Sequence, residues 1–440
     1  MYLPEPVRKI ISALNAAGYE AYAVGGCVRD HLMGREPDDY DVTTSALPQE
    51  TAAVFAGERL IETGIKHGTV TVLANGMPVE VTTYRIDGEY SDHRHPDRVS
   101  FTSDLTADLA RRDFTVNAMA YAPQHGIIDP FGGQEDLARG CIRCVGDAEK
   151  RFDEDALRIL RALRFASTLG FTLEPETERA AFAKKELLRS VSAERLNVEF
   201  TKLLCGKNVR FVLCRYIDII GIVIPEALAM KDFAQRNPHH IYDVLEHTAA
   251  AVEAASAEPV MRLSAFLHDI GKPLCFTEGA DGIGHFYGHA ARSAELAEVI
   301  TERLRYSTAV RRLTVTLVRE HDLQIADSER AVKRVLNRLT PEVFFRLLAL
   351  KRADNLAQAP EYAERQRYYD RLESIARTVL EQEQCFSLKD LAVNGHDLAE
   401  AVGLKGPAIG AALAALLDAV IAGEVENEKG ALLRWYERNK

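Results

Sequence analysis

Gly25-Gly26-Cys27-Val28-Arg29-Asp30, with Asp39-Tyr40-Asp41 beginning nine residues after Asp30, sets phosphate-binding chemistry beside metal-binding chemistry. Gly25 and Gly26 let the backbone approach a phosphate closely and turn its N–H groups inward. Arg29 adds a planar fork of donors suited to phosphate oxygens. Asp39 and Asp41 are one residue apart, so on a strand both carboxylates point to one face. Such hard oxygen ligands suit Mg²⁺, which takes one or two carboxylates together with substrate phosphates. Glu80, in the β-rich run Val79-Glu80-Val81-Thr82-Thr83-Tyr84-Arg85, is a third candidate acid that a neighbouring strand could bring to the pair. Three acids around two metals is an arrangement for in-line attack of a hydroxyl on a nucleotide α-phosphate.

A second block, Glu154 to Phe165, carries recognition chemistry. Leu160, Leu163 and Ala166 recur at helical spacing, which predicts a helix with one buried stripe. Asp155 and Arg158 are three apart and are therefore expected as neighbours on one face. Cytosine and adenine both present a ring-nitrogen acceptor beside an exocyclic amine donor. An Asp accepting from the amine and an Arg donating to the ring nitrogen would take these bases and reject uracil and guanine. The plainer reading is an i,i+3 surface ion pair.

A third constellation lies between residues 235 and 360. His247, His268, Asp269, His289, His321 and Asp354 set imidazole beside carboxylate, which suits a divalent transition metal such as Ni²⁺ or Mn²⁺ with open positions for water. Six of the chain's 13 histidines fall between Pro238 and His289; His239, His240 and His285 receive no role. The order resembles the HD phosphohydrolase superfamily, which implies that His247, His268, Asp269 and Asp354 hold one metal, and His289 and His321 could complete a second site; a helical body kept only as an RNA platform is the alternative.

The elements that must position these residues follow from patterning. Short β-rich runs at Tyr22–Val24, Thr69–Leu73, Val79–Tyr84 and Val116–Tyr121 alternate with helical segments, and from Asp153 onward the pattern is helical. The fold class expected is α+β: a mixed-sheet head over 1–145, a helical neck over 146–225, a helical body over 226–375 and a helical tail over 376–440. Asp87 to Asp104 reads as a long polar loop. Gly406 to Gly410 could open a helix whose N-terminus meets a phosphate, or simply link two helices.

The 440 residues exceed what one core organises. Net charge is −11, yet residues 151–215 hold 13 Lys and Arg against 9 Asp and Glu, and phosphate binding needs only a local patch. Arg330, Lys333, Arg334 and Arg338 read as a solvated helix face. No apolar run approaches the roughly 18 residues that span a bilayer. Seven scattered cysteines, with Cys141 and Cys144 read as core thiols, suggest a reduced, cytoplasmic setting.

Taken with Asp108-Leu109-Ala110-Arg111-Arg112-Asp113-Phe114-Thr115-Val116-Asn117-Ala118, Asp129-Pro130-Phe131-Gly132-Gly133 and Glu194-Arg195 with Glu199, these blocks resemble the class II tRNA nucleotidyltransferases. That family holds the CCA-adding enzymes and the bacterial poly(A) polymerases. The resemblance implies two-metal transfer of CMP and AMP from CTP and ATP onto a tRNA 3′ end. It implies that Arg111 and Arg112 contact the incoming triphosphate and Asp113 its ribose, with Asn117 in the same nucleotide-binding block. It gives Asp155 and Arg158 the base-reading role and sets Arg161 and Arg164 toward phosphates or primer; neck, body and tail would hold the tRNA. Asp38 stands where relatives often carry a basic residue. The retained segment after Asp87 favours the whole triplet over addition of two cytidines. A poly(A) polymerase, an A-adding enzyme, and an HD phosphohydrolase whose head only binds tRNA remain as rivals.

Overall fold

Four buried residues, Ala21–Val24, form β1, and their burial is two-sided. Ala21 and Ala23 pack with Val7, Ile10, Ile11 and Leu14 of α1 (Glu5–Ala16), whose apolar stripe recurs at helical spacing. Tyr22 and Val24 pack on the opposite side with Leu105 and Leu109 of α4 (Leu105–Ala110). A strand covered on both faces reads as a continuous apolar run, which is how it was visible in the sequence. The computed structural model describes residues 1–61, 64–65, 68–88, 99–238 and 241–440.

The chain divides into two units, Met1–Leu228 and Ala229–Lys440. In the first, β1 leads through α2 (Gly26–Leu32) to β2 (Asp41–Thr44), α3 (Pro48–Val54), β3 (Arg59–Ile61), β4 (Thr69–Ala74) and β5 (Met77–Thr83). After β6 (Arg85–Asp87), β7 (Val99–Phe101) and α4 come β8 (Ala120–Ala122) and β9 (Gly126–Ile128). Seven strands form one mixed sheet in the order β3-β4-β5-β2-β1-β8-β9. Its β2–β5 pair is parallel, with Asp41 opposite Glu80; β1 and β2 are antiparallel.

Helices follow: α5 (Gly133–Arg139), α6 (Ala148–Glu154), α7 (Leu157–Leu169), α8 (Pro175–Lys184), α9 (Ala193–Leu204) and α10 (Val209–Val223). A two-residue parallel pairing of β10 (Cys141–Ile142) with β11 (Thr172–Leu173) is the one strand signal there among the described residues. The second unit holds α11 (Val244–Ala254), α12 (Pro259–Leu267), a small hairpin of β12 (Thr277–Glu278) and β13 (Gly284–His285), and α13 (His289–Arg303). It continues through α14 (Thr308–Glu320), α15 (Glu329–Leu339), α16 (Pro341–Leu356) and α17 (Arg365–Glu381). It ends with α18 (Gly395–Val402), α19 (Pro407–Ala422) and α20 (Lys429–Asn439). Among the described residues no single helix is long and apolar enough to cross a membrane.

The α+β class is as expected: a mixed sheet, then helices. Four local expectations are corrected. Asp39 precedes β2 instead of lying on it, so only Asp41 of the pair is a strand residue. The run Val116–Tyr121 is not one strand, because Thr115–Asn117 closes a 3₁₀ turn and β8 begins at Ala120. The segment Asp87 to Asp104 contains β7, which pairs with β6; residues 89–98 of that segment, and His239 and His240, lie outside the described residues. Finally, the helix expected over 154–165 is two helices: α6 ends at Glu154 and α7 starts at Leu157.

Candidate active site and His/Asp centre

Strand alternation decides which head residues meet. Val42, Val79 and Val81 belong to the core under α1. Asp41 and Glu80, one residue off them on paired strands, therefore point to the opposite face, where α4 lies. Thr43 points there too, and its hydroxyl donates to Asp108 Oδ2 at 3.0 Å. Burial and the charges of Asp39 and Glu80 push Asp41 up to about 6, with Arg112 pulling it down. The like charges of Asp39 and Glu80 near Asp41 favour a divalent cation there, although the groups of described residues whose ligand atoms already lie within 4.8 Å of one another are in the second unit.

Gly25 ends β1 with φ +80, a conformation that side chains with a Cβ rarely adopt. A Cβ there would also sit 3.0 Å from Arg112 Nη1. Arg112 thus lies against the glycine turn and within the field of Asp41. Its Nε is buried without a hydrogen-bond partner among the described residues. Arg111, by contrast, is tied to Asp108, with Nε and Nη2 at 2.9 and 2.8 Å from Oδ1. Of the expected arginine pair, Arg111 is held closely by Asp108, while Arg112 lies against the glycine turn and reaches the same acid only at 3.8 Å.

A line of charge-assisted bonds runs from the cradle into the helices. Arg29 donates to both oxygens of Asp30 and, through Nη1, to Asn117 Oδ1 at 2.6 Å. Asn117 Nδ2 donates to Asp113 Oδ1 at 3.0 Å. Arg161 on α7 grips Asp113 Oδ2 with Nε and Nη2 at 3.0 and 2.6 Å. Glu199 on α9 then pairs with Arg161 at 3.4 Å and with Arg164 at 2.7 Å. Burial opposes the charge of Asp113, but Arg161, Asn117 and Arg158 hold its carboxyl well below the usual range. Phe165 lies under three of these guanidiniums, Arg164 at 3.8 Å, Arg29 at 5.1 Å and Arg161 at 5.6 Å from its ring centre.

Asp155 and Arg158 are not neighbours on one helix face. Asp155 occupies the break between α6 and α7 in an extended conformation, φ −139 and ψ 103. Its Oδ1 accepts from Leu157 N–H and its Oδ2 from Arg195 at 2.8 Å. Arg158 pairs instead with Glu154 Oε2 at 2.7 Å and donates to the Arg111 carbonyl at 2.9 Å. The plain i,i+3 pair is therefore absent here, and each group is held by its own partner. Glu154 and Phe165 were passed over as site residues. Spacing alone contained the signal: Glu154 is four before Arg158, and Phe165 is four after Arg161.

In the second unit the six expected residues converge. Among the described residues, His247, His268, Asp269 and Asp354 form one group and Asp269, His289 and His321 another, each with ligand atoms within 4.8 Å of one another. Asp269 joins them by using both oxygens. Its Oδ2 lies 3.3 Å from His247 Nε2 and 3.1 Å from His268 Nε2. Its Oδ1 lies 3.5 Å from His289 Nε2 and 3.7 Å from His321 Nε2. Asp354 Oδ1 is 3.0 Å from His247.

Every ring is oriented by its far nitrogen. Nδ1 of His247, His268, His289 and His321 faces the carbonyl of Ala357, Ala265, Phe286 and Val318 respectively, at 2.6–3.2 Å. An Nδ1–H bond of this kind leaves Nε2 as a lone-pair donor aimed at the centre, the arrangement metal-ligating histidines use. His268 Nε2 and Asp269 Oδ1 are buried with no hydrogen-bond partner among the described residues. Against the penalty of burial, Asp269 and Asp354 draw His268 up to about 10. The buried carboxylates thus call for positive charge, and this donor set of imidazole and carboxylate fits a divalent metal. Lys272, not singled out in the sequence, reaches Asp269 Oδ2 at 2.7 Å and Gln235 at 2.8 Å.

Comparison with known proteins bears on the family of the chain. Residues 21–143 match the "Poly A polymerase head domain" model, residues 170–219 the "Probable RNA and SrmB- binding site of polymerase A" model, and residues 293–436 the "tRNA nucleotidyltransferase domain 2" model. The CCA-adding enzyme of Lactiplantibacillus plantarum is 35% identical over 441 residues, covering 98% of this chain and 95% of that protein. The chain belongs to the CCA-adding enzyme family. A higher identity, 53% with the Geobacillus thermodenitrificans CCA-adding enzyme, extends over 45% of this chain and about half of that relative's length, 48%. The crystal structure of the Bacillus stearothermophilus CCA-adding enzyme in complex with CTP superposes with a TM-score of 0.73 at 32% identity, covering 100% of this chain and 98% of that one. The Thermotoga maritima CCA-adding enzyme complexed with tRNA shares the fold at 20% identity, with a TM-score of 0.61.

Proposed function

We infer that this chain is a CCA-adding tRNA nucleotidyltransferase, transferring CMP and AMP from CTP and ATP to a tRNA 3′ end without a nucleic-acid template. The observation that carries this reading is the crowding of Asp39 and Glu80 on Asp41 beside the glycine turn and Arg112. Family membership and the CTP complex of the B. stearothermophilus relative support it.

Asp39 and Asp41 hold divalent metal, taken as Mg²⁺, and Glu80 stands beside them to orient the attacking hydroxyl. Mg²⁺ bound there supplies charge neutralisation at the triphosphate and a lowered pKa for the RNA hydroxyl. The turn at Gly25 and Gly26 gives the triphosphate close access to backbone N–H groups, and Arg112 meets its negative charge. Arg29, Asn117 and Asp113 form the wall beside the sugar. Asp155 and Arg158, each clamped by a separate partner, present an acceptor and a donor to the base edge. Arg161 and Arg164 hold that wall to α9.

The test is sequencing of 3′ ends after tRNA lacking its terminus is incubated with all four nucleoside triphosphates. The expected product ends in CCA and stops. Long adenylate tails would instead identify a poly(A) polymerase, and a lone added A an A-adding enzyme. With Arg158→Ala, U and G are expected in the products, with discrimination reduced roughly 10- to 100-fold, the worth of a good base contact. Unchanged selectivity would remove the base-edge role.

The His/Asp centre supports a second activity, phosphohydrolase action on phosphate or cyclic phosphate at damaged RNA ends. Ni²⁺ or Mn²⁺ held there supplies Lewis acidity toward a phosphate ester. Asp269, shared by both ligand groups, is its centre. Asp269→Ala is expected to lose the bound transition metal, read by elemental analysis, and phosphate release from a 2′,3′-cyclic end, with CCA addition intact. Retained metal and release would refute the assignment. A head serving only to bind tRNA for this hydrolase has no use for the like charges gathered at Asp41.

A further inference from the structure

The His/Asp centre opens into a cavity of about 300 Å³ whose walls include Asp269, His289, His321 and Asp354 together with His285 and Tyr287. The last two have no part in ligating metal. They flank Phe286 where the chain leaves β13 and turns toward α13. Their rings are stacked, 5.3 Å between centres and 12° between planes. Tyr287 is 78% exposed, unusual for a large aromatic residue at the mouth of a polar cavity.

This pair is mounted rigidly. Phe286, between them, packs its ring on Phe276 at 5.6 Å and under Lys272 Nζ at 5.3 Å, and its carbonyl faces Nδ1 of His289 at 2.8 Å. The residue whose carbonyl faces one candidate metal ligand is therefore also the packed link between the two stacked rings. Gly284, just before them, is tied by its N–H to the Arg236 carbonyl and by its carbonyl to Asn237 Nδ2. Gly288, at φ +76, turns the chain into α13 directly after Tyr287.

Flat, preorganised aromatic surface within one small cavity of a phosphoester-binding centre suits a nucleobase, since every base offers a π face and stacking is tolerant of its identity. We propose that His285 and Tyr287 form a base-stacking platform, and that the centre acts on phosphoesters carrying a nucleobase, such as a nucleoside 3′-phosphate or the terminal nucleotide of an RNA. This rests on the hydrolase reading of the centre and names its substrate class; the two residues are specificity-determining and leave the metal to others.

The test compares calorimetric affinities of adenosine 3′-monophosphate and inorganic phosphate for the full-length, Mn²⁺-loaded protein. Tyr287→Ala is expected to weaken the nucleotide on the order of tenfold or more, as loss of a stacking aromatic does, and to leave inorganic phosphate and metal content unchanged. Tyr287→Phe keeps the ring and is expected to bind like wild type. Equal losses for both ligands, or none for either, would overturn the platform while leaving the hydrolase reading standing. Failure of wild type to hold Mn²⁺ through Asp269 would overturn both.

Discussion

Alanine at Asp41 is expected to end nucleotide transfer while tRNA stays bound. Asp41 is the acid on which the head's charges converge, because its strand brings Glu80 into register and Asp39 lies just upstream. Removing it leaves Asp39 and Glu80 without the acid that both of them face by charge. Metal-derived charge stabilisation is worth several kcal/mol, and each 1.36 kcal/mol is tenfold in rate, so incorporation of CMP and AMP should fall by about 10³-fold or more. Single-turnover incorporation measures the loss, and a tRNA gel shift measures binding. Asp39→Ala should lose activity as well. Transfer at wild-type rate in either variant would remove the metal assignment from the head.

The second large effect concerns stability. Asp113 is the buried acid between Asn117 and Arg161, and truncation to alanine removes the oxygen that accepts two of Arg161's N–H bonds, leaving that guanidinium only the longer contact with Glu199 at 3.4 Å. Breaking one side of a buried ion pair costs about 3–5 kcal/mol. For a unit of this size that corresponds to a melting temperature lower by on the order of 10 °C. The sign with pH follows from its depressed folded pKa. The stabilisation is complete above the unfolded carboxylate value, about pH 4, and is lost as pH falls toward the lower folded value. The gap between wild type and Asp113→Ala should therefore be constant from neutral pH to about 4 and narrow below it. A gap that closes near pH 6 would show that another group is responsible.

Legibility in the sequence differed by the kind of constraint. β1 was plain because burial on both faces writes an uninterrupted apolar run. The six candidate histidine and aspartate ligands were plain because imidazole beside carboxylate is rare enough to stand out, and all six come together. Glu80 lies on a strand beside Asp41 as expected, but Asp39 stands just before the strand, since nothing in Asp-Tyr-Asp says where pairing to β1 begins. The break at Asp155 was hidden by a helical periodicity that runs across it; extended backbone at one residue leaves the surrounding pattern intact. Partner choice was the least visible. Glu154 with Arg158, Arg195 with Asp155, and Asp108 with Arg111 are decisions made by tertiary packing among several arginines of equal chemistry.

The unbroken line from Arg29 to Arg164 has a final implication. Five of its members are charged and one is an amide, and each interior member is engaged from two sides, so no link can shift alone. An enzyme that copies no strand must carry its instructions in its own shape. Arg161 and Arg164 share α7 with Arg158, the residue proposed to read the base, so slackness introduced along the line is expected to appear as spelling errors at the end of the RNA.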